Sequence, residues 1–337
     1  MPDLNQVIAA IPAIACGQFL SLILSGTNIF YSLANDHGIY PAIFPNEIVY
    51  HIILVLSLCR PRTLYRSWKK RAPIPAYVAL GVVDLGANIA VLMSFEYTSA
   101  ISVMIITSTS AIFAMAMSMV AFRRRYTRVH MLGTAIVVVG LVLINYHKYL
   151  VQDPDEKSFY WLGTFLAFVG AIGYALSNVI NEYVSRWEPG YPIASLAAMG
   201  FFASIASSIA CHATAFGRND RDTIMHAPLP AQRLLLGFVT CMVALYILLP
   251  LYVQKFSAVM LNFNLLTADL VILLFNHAFR SAVLTVPYLL GFFCVFAGMV
   301  VFNLVQPIDA PQRASLALER SDSVRLTEKP LNLDACK

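Results

Sequence analysis

The residues that could do chemistry in this chain are acids and amides set inside apolar runs. Glu47, Asp84 and Asp269 each interrupt an otherwise apolar stretch, while Glu96 closes the Asp84 stretch and Glu182 stands near the end of another. A charge at the centre of a membrane-spanning helix costs about 2.5–3.5 kcal/mol on insertion scales, so such residues normally have a task. Asp84 and Asn88 are four apart and share a helix face. Tyr174, Asn178, Asn181 and Glu182 project from one side of a later helix, and Asn262, Asn264 and Thr267 precede Asp269. No Lys or Arg falls in the middle of any of these runs. Several acids without a fixed base suit a neutral or cationic solute, or proton coupling. They fit poorly with a dianionic sugar nucleotide, which normally calls for Lys or Arg, although half-helix N-termini can also hold anions. For Asp84 and Asp269 a second role stands beside solute or proton handling: tying helices together through Ser, Thr or Tyr hydroxyls. Glu47 is a further candidate, and Glu96 and Glu182, near boundaries, are expected to reach water.

The elements that must position these residues follow from composition. Apolar residues make up 59% of the chain and charged residues 12%, against about 45–50% and about 25% in soluble domains. The pattern predicts ten spans of about 20 residues, near 10–34, 41–58, 74–97, 100–122, 129–147, 161–185, 193–216, 231–253, 257–279 and 283–305. The first lacks a basic flank before its apolar run and is read as an uncleaved span. Residues 306–337 are rich in Ser, Pro and charge without apolar periodicity and are expected to be a disordered tail.

Most of the 23 Lys and Arg fall on one side of these spans, in the 60–73 connection, at Arg123–Arg128 and in the tail. Lys148, Lys157, Arg218, Arg221, Arg233 and Arg280 fall on the other. That bias places both termini in the cytoplasm. It makes the net charge of +5 a topology signal facing anionic lipid, with no nucleic-acid partner implied, and it makes Arg123-Arg124-Arg125 an anchor. Six scattered cysteines support neither a disulfide framework nor a zinc site. His51, His130, His212 and His277 lack ligand spacing and are expected to pack or to sit at interfaces. There is no nucleophile elbow, phosphate loop or His-carboxylate metal motif, so neither an enzyme nor a cofactor is expected.

The chain also repeats itself. Tyr97-Thr98-Ser99-Ala100 returns as Lys255-Phe256-Ser257-Ala258, and at the same offset Thr109 meets Thr267, Gly133 meets Gly291, Gly140 meets Gly298 and Asn145 meets Asn303. Five spans per copy invert the second copy relative to the first, which predicts a site near mid-membrane between them. The reading is all-α: residues 1–9 as a lead-in, 10–147 and 161–305 as two inverted five-helix repeats, 148–160 between them and 306–337 as the tail.

Several stretches resemble solute carrier family 35, subfamily F, of the drug/metabolite transporter superfamily. They are Gly17-Gln18-Phe19-Leu20-Ser21-Leu22 with Ser25-Gly26-Thr27, Gly81-x-x-Asp84-x-x-Ala87-Asn88, and Tyr97-Thr98 with Ser102-Val103. Arg125-Tyr126 with His130, Gly170-Ala171-x-x-Tyr174-Ala175-x-Ser177-Asn178-Val179 with Glu182-Tyr183, and Asn262 with Leu266-Thr267-Ala268-Asp269-Leu270 continue the likeness. The resemblance implies a ten-helix alternating-access carrier with Gln18, Asp84, Asn88, Asn178, Glu182, Asn262, Thr267 and Asp269 at its polar positions. It also links this branch to nucleoside-like solutes. Gly86, Met93 and Thr107–Ala111 depart from the family pattern, so a relative's substrate is not carried over. The expected partners are a small solute and the bilayer, and a homodimer is compatible with the reading. A nucleotide-sugar antiporter and a non-transporting receptor or scaffold are the alternatives. Plasma membrane, Golgi and endosome are all compatible with a chain that has no N-x-S/T sequon.

Overall fold

The computed structural model describes residues 4–59, 61, 65, 74–98, 100–150, 160–187, 192–280 and 286–305. The described elements form thirteen helices: α1 (Leu4–Asn35), α2 (Phe44–Leu58), α3 (Ile74–Tyr97), α4 (Ala100–Thr107), α5 (Ser110–Ala121), α6 (Arg128–Leu150) and α7 (Tyr160–Trp187). They continue with α8 (Pro192–Ala213), α9 (Ala215–Met225), α10 (Leu229–Lys255), α11 (Ala258–Leu265), α12 (Ala268–Arg280) and α13 (Val286–Asn303). Among the described residues seven helical stretches are long and apolar enough to cross a membrane, counting α4–α5 and α11–α12 as one each, and α2, α6 and α13 supply three shorter apolar ones. Phe19, Leu22, Val120, Val142, Leu236 and Phe293 point outward from this bundle. A broad apolar exterior of that kind is what lipid contact requires and water would penalise. The chain is an integral, multi-pass membrane protein.

Two spans are broken, and hydroxyl chemistry marks both breaks. At the α4–α5 junction the hydroxyls of Thr107 and Ser108 donate to the Met104 carbonyl at 2.9 Å, and that of Thr109 donates to Ile106 at 2.6 Å. At the α11–α12 junction Thr267 donates to the Asn264 carbonyl at 2.9 Å. Such local back-bonds compete with the helical ladder. Three-residue backbone bonds, Thr109 to Ile106 and Thr267 to Asn264, carry the chain across each interruption. The numbering of the two breaks repeats the sequence offset: Ala100, Thr107, Ser110 and Arg128 bound helices in the first half, and Ala258, Leu265, Ala268 and Val286 bound them in the second.

The most extensive helix pairs are α6 with α13, α3 with α7, α1 with α10, and α2 with α8. The α6–α13 crossing depends on glycine. A Cβ on Gly133 would lie 2.8 Å from the Gly298 carbonyl oxygen, and one on Gly140 would lie 2.5 Å from that of Gly291; the reverse approaches are 2.7 Å each. Small residues let the backbones meet where no water-driven hydrophobic force exists between helices. Beside the crossing, Phe263 and Phe302 stack at 3.8 Å between centroids.

Several elements differ from the sequence reading. α1 starts at Leu4, not residue 10, and α6 runs on to Leu150. The 217–230 connection contains most of a helix, α9, whose low overall apolar content hid it from a reading based on apolar runs. The Asn145 side chain, most of the basic 60–73 connection, residues 151–159 and the 306–337 tail lie outside the described residues.

Gly140→Ala is expected to lower the melting temperature of the detergent-purified protein, by an overpacking cost of about 1–3 kcal/mol. Gly86→Ala, where nothing lies within 4 Å of the added carbon, is expected to leave it unchanged or slightly raised. Fluorescence-monitored thermal unfolding of the two variants side by side checks this pair.

Candidate functional site

Asp84, in the middle of α3, is 5% exposed and accepts hydrogen bonds from every direction. Its Oδ2 accepts from the Tyr50 hydroxyl of α2 at 2.7 Å, from the Tyr246 hydroxyl of α10, and from the Asn88 amide at 3.2 Å. Its Oδ1 accepts from Ser177 of α7 at 2.7 Å. Asn88 completes the cluster: its amide donates to Tyr246 at 2.6 Å and to Tyr50 at 3.0 Å, and its carbonyl accepts from Tyr174 at 3.0 Å. One carboxylate therefore joins α2, α3, α7 and α10. Hydrogen bonds from four side chains offset the cost of withdrawing the acid from water.

Asp269 is placed differently. It sits in the first turn of α12, where the unpaired N–H groups and positive end of the helix favour an acid. Its Oδ2 accepts from Ser108 at the α4–α5 break. Among the described residues Ser108 is its one recorded side-chain partner, and Asp269 is only partly buried. Asp269 and Asp84 both line a central cavity with Asn28, Asn88, Tyr174, Asn178 and Asn262, closed by apolar walls that include Val91, Phe95, Met242 and Leu245. The described lining contains no Lys or Arg. Asn262 shares its side-chain oxygen between Asn178 and Ser110, each at 3.3 Å, and donates to the Ala258 carbonyl at 2.8 Å.

Gln18 and Thr267 stand beside the cavity without lining it. Thr267 donates to the Gln18 side-chain oxygen at 2.7 Å and meets Ser21 at 2.8 Å, which ties α1 to the second break. The amide nitrogen of Gln18 is buried without a partner among the described residues. Of the sequence candidates, the structure thus brings Asp84, Asn88, Asn178, Asn262 and Asp269 to one cavity, sets Gln18 and Thr267 next to it, and puts Glu47 and Glu182 elsewhere.

Glu182 does not reach water: it is 1% exposed. Both its oxygens bind the Arg124 guanidinium, Arg186 adds a bond at 2.5 Å, and Oε2 accepts the Ala258 backbone N–H at 2.8 Å. Arg124, expected as an exposed anchor, is buried with it. Glu47, at the opposite end of the bundle, accepts from Ser208 at 2.9 Å and lies 3.1 Å from the His212 ring nitrogen. At that same end Asp220 of α9 accepts the Ala42, Ile43 and Phe44 N–H groups at 3.0, 3.0 and 2.8 Å, capping α2 from outside its own chain segment. Burial raises the Asp220 carboxyl pKa, and these three N–H bonds oppose the shift. Tyr50, Tyr246, Ser177, Arg124 and Asp220 were not among the sequence candidates. The tyrosines merge into apolar runs, and Asp220 sits in a polar segment where an acid attracts no notice.

Asp84→Ala, which strands four neutral donors, is expected to destabilise the purified protein by at least about 1–3 kcal/mol, the cost of one buried unsatisfied group. Asp269→Asn keeps its shape and one acceptor and is expected to cost less than about 1 kcal/mol. Thermal unfolding of both variants at one pH separates the fastening acid from the cavity acid; equal losses would contradict the distinction.

The family model described as solute carrier family 35, of the SLC35F group, matches residues 8–304. The chain is similar to solute carrier family 35 member F2 of Mus musculus, 27% identical over 305 residues covering 86% of this chain and 77% of the relative. It is equally similar, at 27% over 300 residues, to an uncharacterized solute carrier family 35 member of Schizosaccharomyces pombe, covering 86% of this chain and 57% of that one. A solved crystal structure superimposes with a TM-score of 0.58 at 14% identity, over 92% of this chain and 99% of the other, which shows a common fold. The chain belongs to solute carrier family 35.

Proposed function

We propose that this member of solute carrier family 35 moves a small polar organic solute, neutral or cationic, by alternating access through the central cavity. The observation that carries the reading is the cavity itself: it lies where both broken spans meet, and Asp84, Asp269 and four asparagines line it without a described Lys or Arg. Donor-rich heterocycles, including nucleoside-like solutes, suit that lining. A sugar nucleotide would bring two negative charges to a partly exposed acid, so the antiporter alternative is disfavoured.

The mechanism draws on an inverted repeat of ten spans, residues 10–147 against 161–305. Recurrent helix bounds support the repeat, and so do packing pairs that exchange under it. Swapping the two halves turns α3–α7 into α10–α1 and returns α6–α13 and α2–α8 to themselves. The Gly133–Gly298 approach likewise becomes Gly291–Gly140. The two ends carry corresponding ion pairs. Arg124, just past α5, meets Glu182 near the end of α7 with side chains 2% and 1% exposed. Arg280, closing α12, meets Asp36 just past α1 with side chains 30% and 54% exposed. In the proposed cycle the first pair seals the cytoplasmic end in this conformation, the second is the weaker closure at the opposite end, and rocking exchanges them. Protonation of Asp269, or a cationic group on the solute, competes with the Ser108 bond that links the two breaks, so uptake is expected to depend on pH.

The test is uptake by cells producing the chain, with a pooled panel of nucleosides, nucleobases, cationic heterocycles and nucleotide sugars read by mass spectrometry. A neutral or cationic member is expected to accumulate, and Asp269→Asn is expected to cut that at least tenfold. Parental uptake by Asp269→Asn at every pH would remove Asp269 from the mechanism. Counter-flow of a nucleotide sugar against a nucleoside monophosphate would replace this reading with the antiporter.

A further inference from the structure

We propose that the end of the bundle where α2 begins and α8 finishes holds a zinc site built from Glu47, Cys211 and His212. One ligand atom from each, a carboxylate oxygen, the Cys211 sulfur and a His212 ring nitrogen, lies within 4.8 Å of the other two. Glu47 is 7% exposed, and its Oε2 is buried with no hydrogen-bond partner among the described residues. A carboxylate oxygen left in that condition costs free energy unless a cation or donor meets it. Oε1 is already held by Ser208 at 2.9 Å, which fixes the carboxylate's orientation while Oε2 stays available. The Cys211 sulfur is fully buried; besides a long contact of 3.8 Å to the Gly217 carbonyl, its thiol has the Glu47 carboxylate as a hydrogen-bond partner.

Without a metal, the Cys211 thiol and the His212 ring both face the Glu47 carboxylate, and an ion placed between them would use all three ligand atoms at once. Sulfur, imidazole nitrogen and carboxylate oxygen together suit Zn²⁺, at about 2.0–2.3 Å from each ligand, and do not suit the oxygen-seeking Ca²⁺ or Mg²⁺. The His212 side chain is 52% exposed, so an ion can enter from solvent on that side and water can complete a fourth position. Binding releases the thiol proton and leaves the coordinating imidazole nitrogen unprotonated. The Ser208–Glu47 bond acts as outer support. The ion would join α2 to α8, which are corresponding helices of the two halves, at the end where the Arg280–Asp36 closure also lies. Cys211 and His212 adjoin in sequence but Glu47 is far away, which is why no ligand spacing is visible in the sequence.

The test uses the full chain in detergent, stripped of metal by a chelator and titrated with ZnCl₂ against a competing zinc dye. One equivalent is expected to bind with micromolar or tighter affinity, and Co²⁺ in its place is expected to give a thiolate charge-transfer band. Glu47→Gln and His212→Ala are each expected to weaken binding roughly tenfold or more, and Cys211→Ser to abolish the band. His212→Ala alters a half-exposed side chain and should keep the parental elution profile, so the test does not hinge on the buried variants folding. His226→Ala, outside the cluster, should bind as the parent does. Absence of zinc binding at 100-fold above about 1 µM, or equal binding by parent and His212→Ala, would overturn the site. Neither outcome bears on transport through the central cavity.

Discussion

A buried carboxylate must be answered by donors or it unfolds its surroundings, and Asp84 is answered from four helices at once. Tyr50, Tyr246, Asn88 and Ser177 surround it. Tyr50 and Asp84 precede the chain midpoint, and Ser177 and Tyr246 follow it. The apolar contacts of a membrane bundle are nearly indifferent to sliding, because lipid tails offer the same environment as a neighbouring leucine. A saturated polar cluster is not indifferent, since moving one helix strands several groups together. Asp84 thereby fixes the register of the bundle around the cavity that Asp269 faces.

Two further constraints surround this fastening. The Gly133–Gly298 and Gly140–Gly291 approaches hold α6 and α13 at backbone contact. The breaks at Thr107–Thr109 and Leu266–Thr267 supply the opposite property. They free backbone groups at the cavity, tolerable only where irregular backbone is buried in protein or lines a cavity. Ser108, Ser110 and Asp269 reach the cavity because the helices stop there.

Much of this was legible in the sequence because charge inside an apolar run is conspicuous. Asp84, Asn88 and Asp269 stood out for that reason, and the repeat stood out because glycines and Thr109/Thr267 recur in step. What escaped was partnership. Arg124 lies in a basic run that imitates an exposed anchor, yet it is buried against Glu182, 58 residues away. Tyr50 and Tyr246 carry hydroxyls that matter only once folding sets them 3.2 Å apart. Asp220 caps a helix more than 170 residues earlier, a relation no local pattern encodes. The sequence reports which residues are expensive to bury; the fold decides what compensates them.

The central claim is that the cavity opens to one side at a time and that the Arg124–Glu182 pair holds one end shut. The most direct measurement is labelling of Asn178→Cys, in a background with the native cysteines replaced, by a membrane-impermeant thiol reagent applied to either face. The account predicts labelling from the face opposite Arg124, and a shift of labelling to the Arg124 face when Glu182→Gln breaks the pair. Labelling from both faces at once, or from neither face in either background, would contradict it.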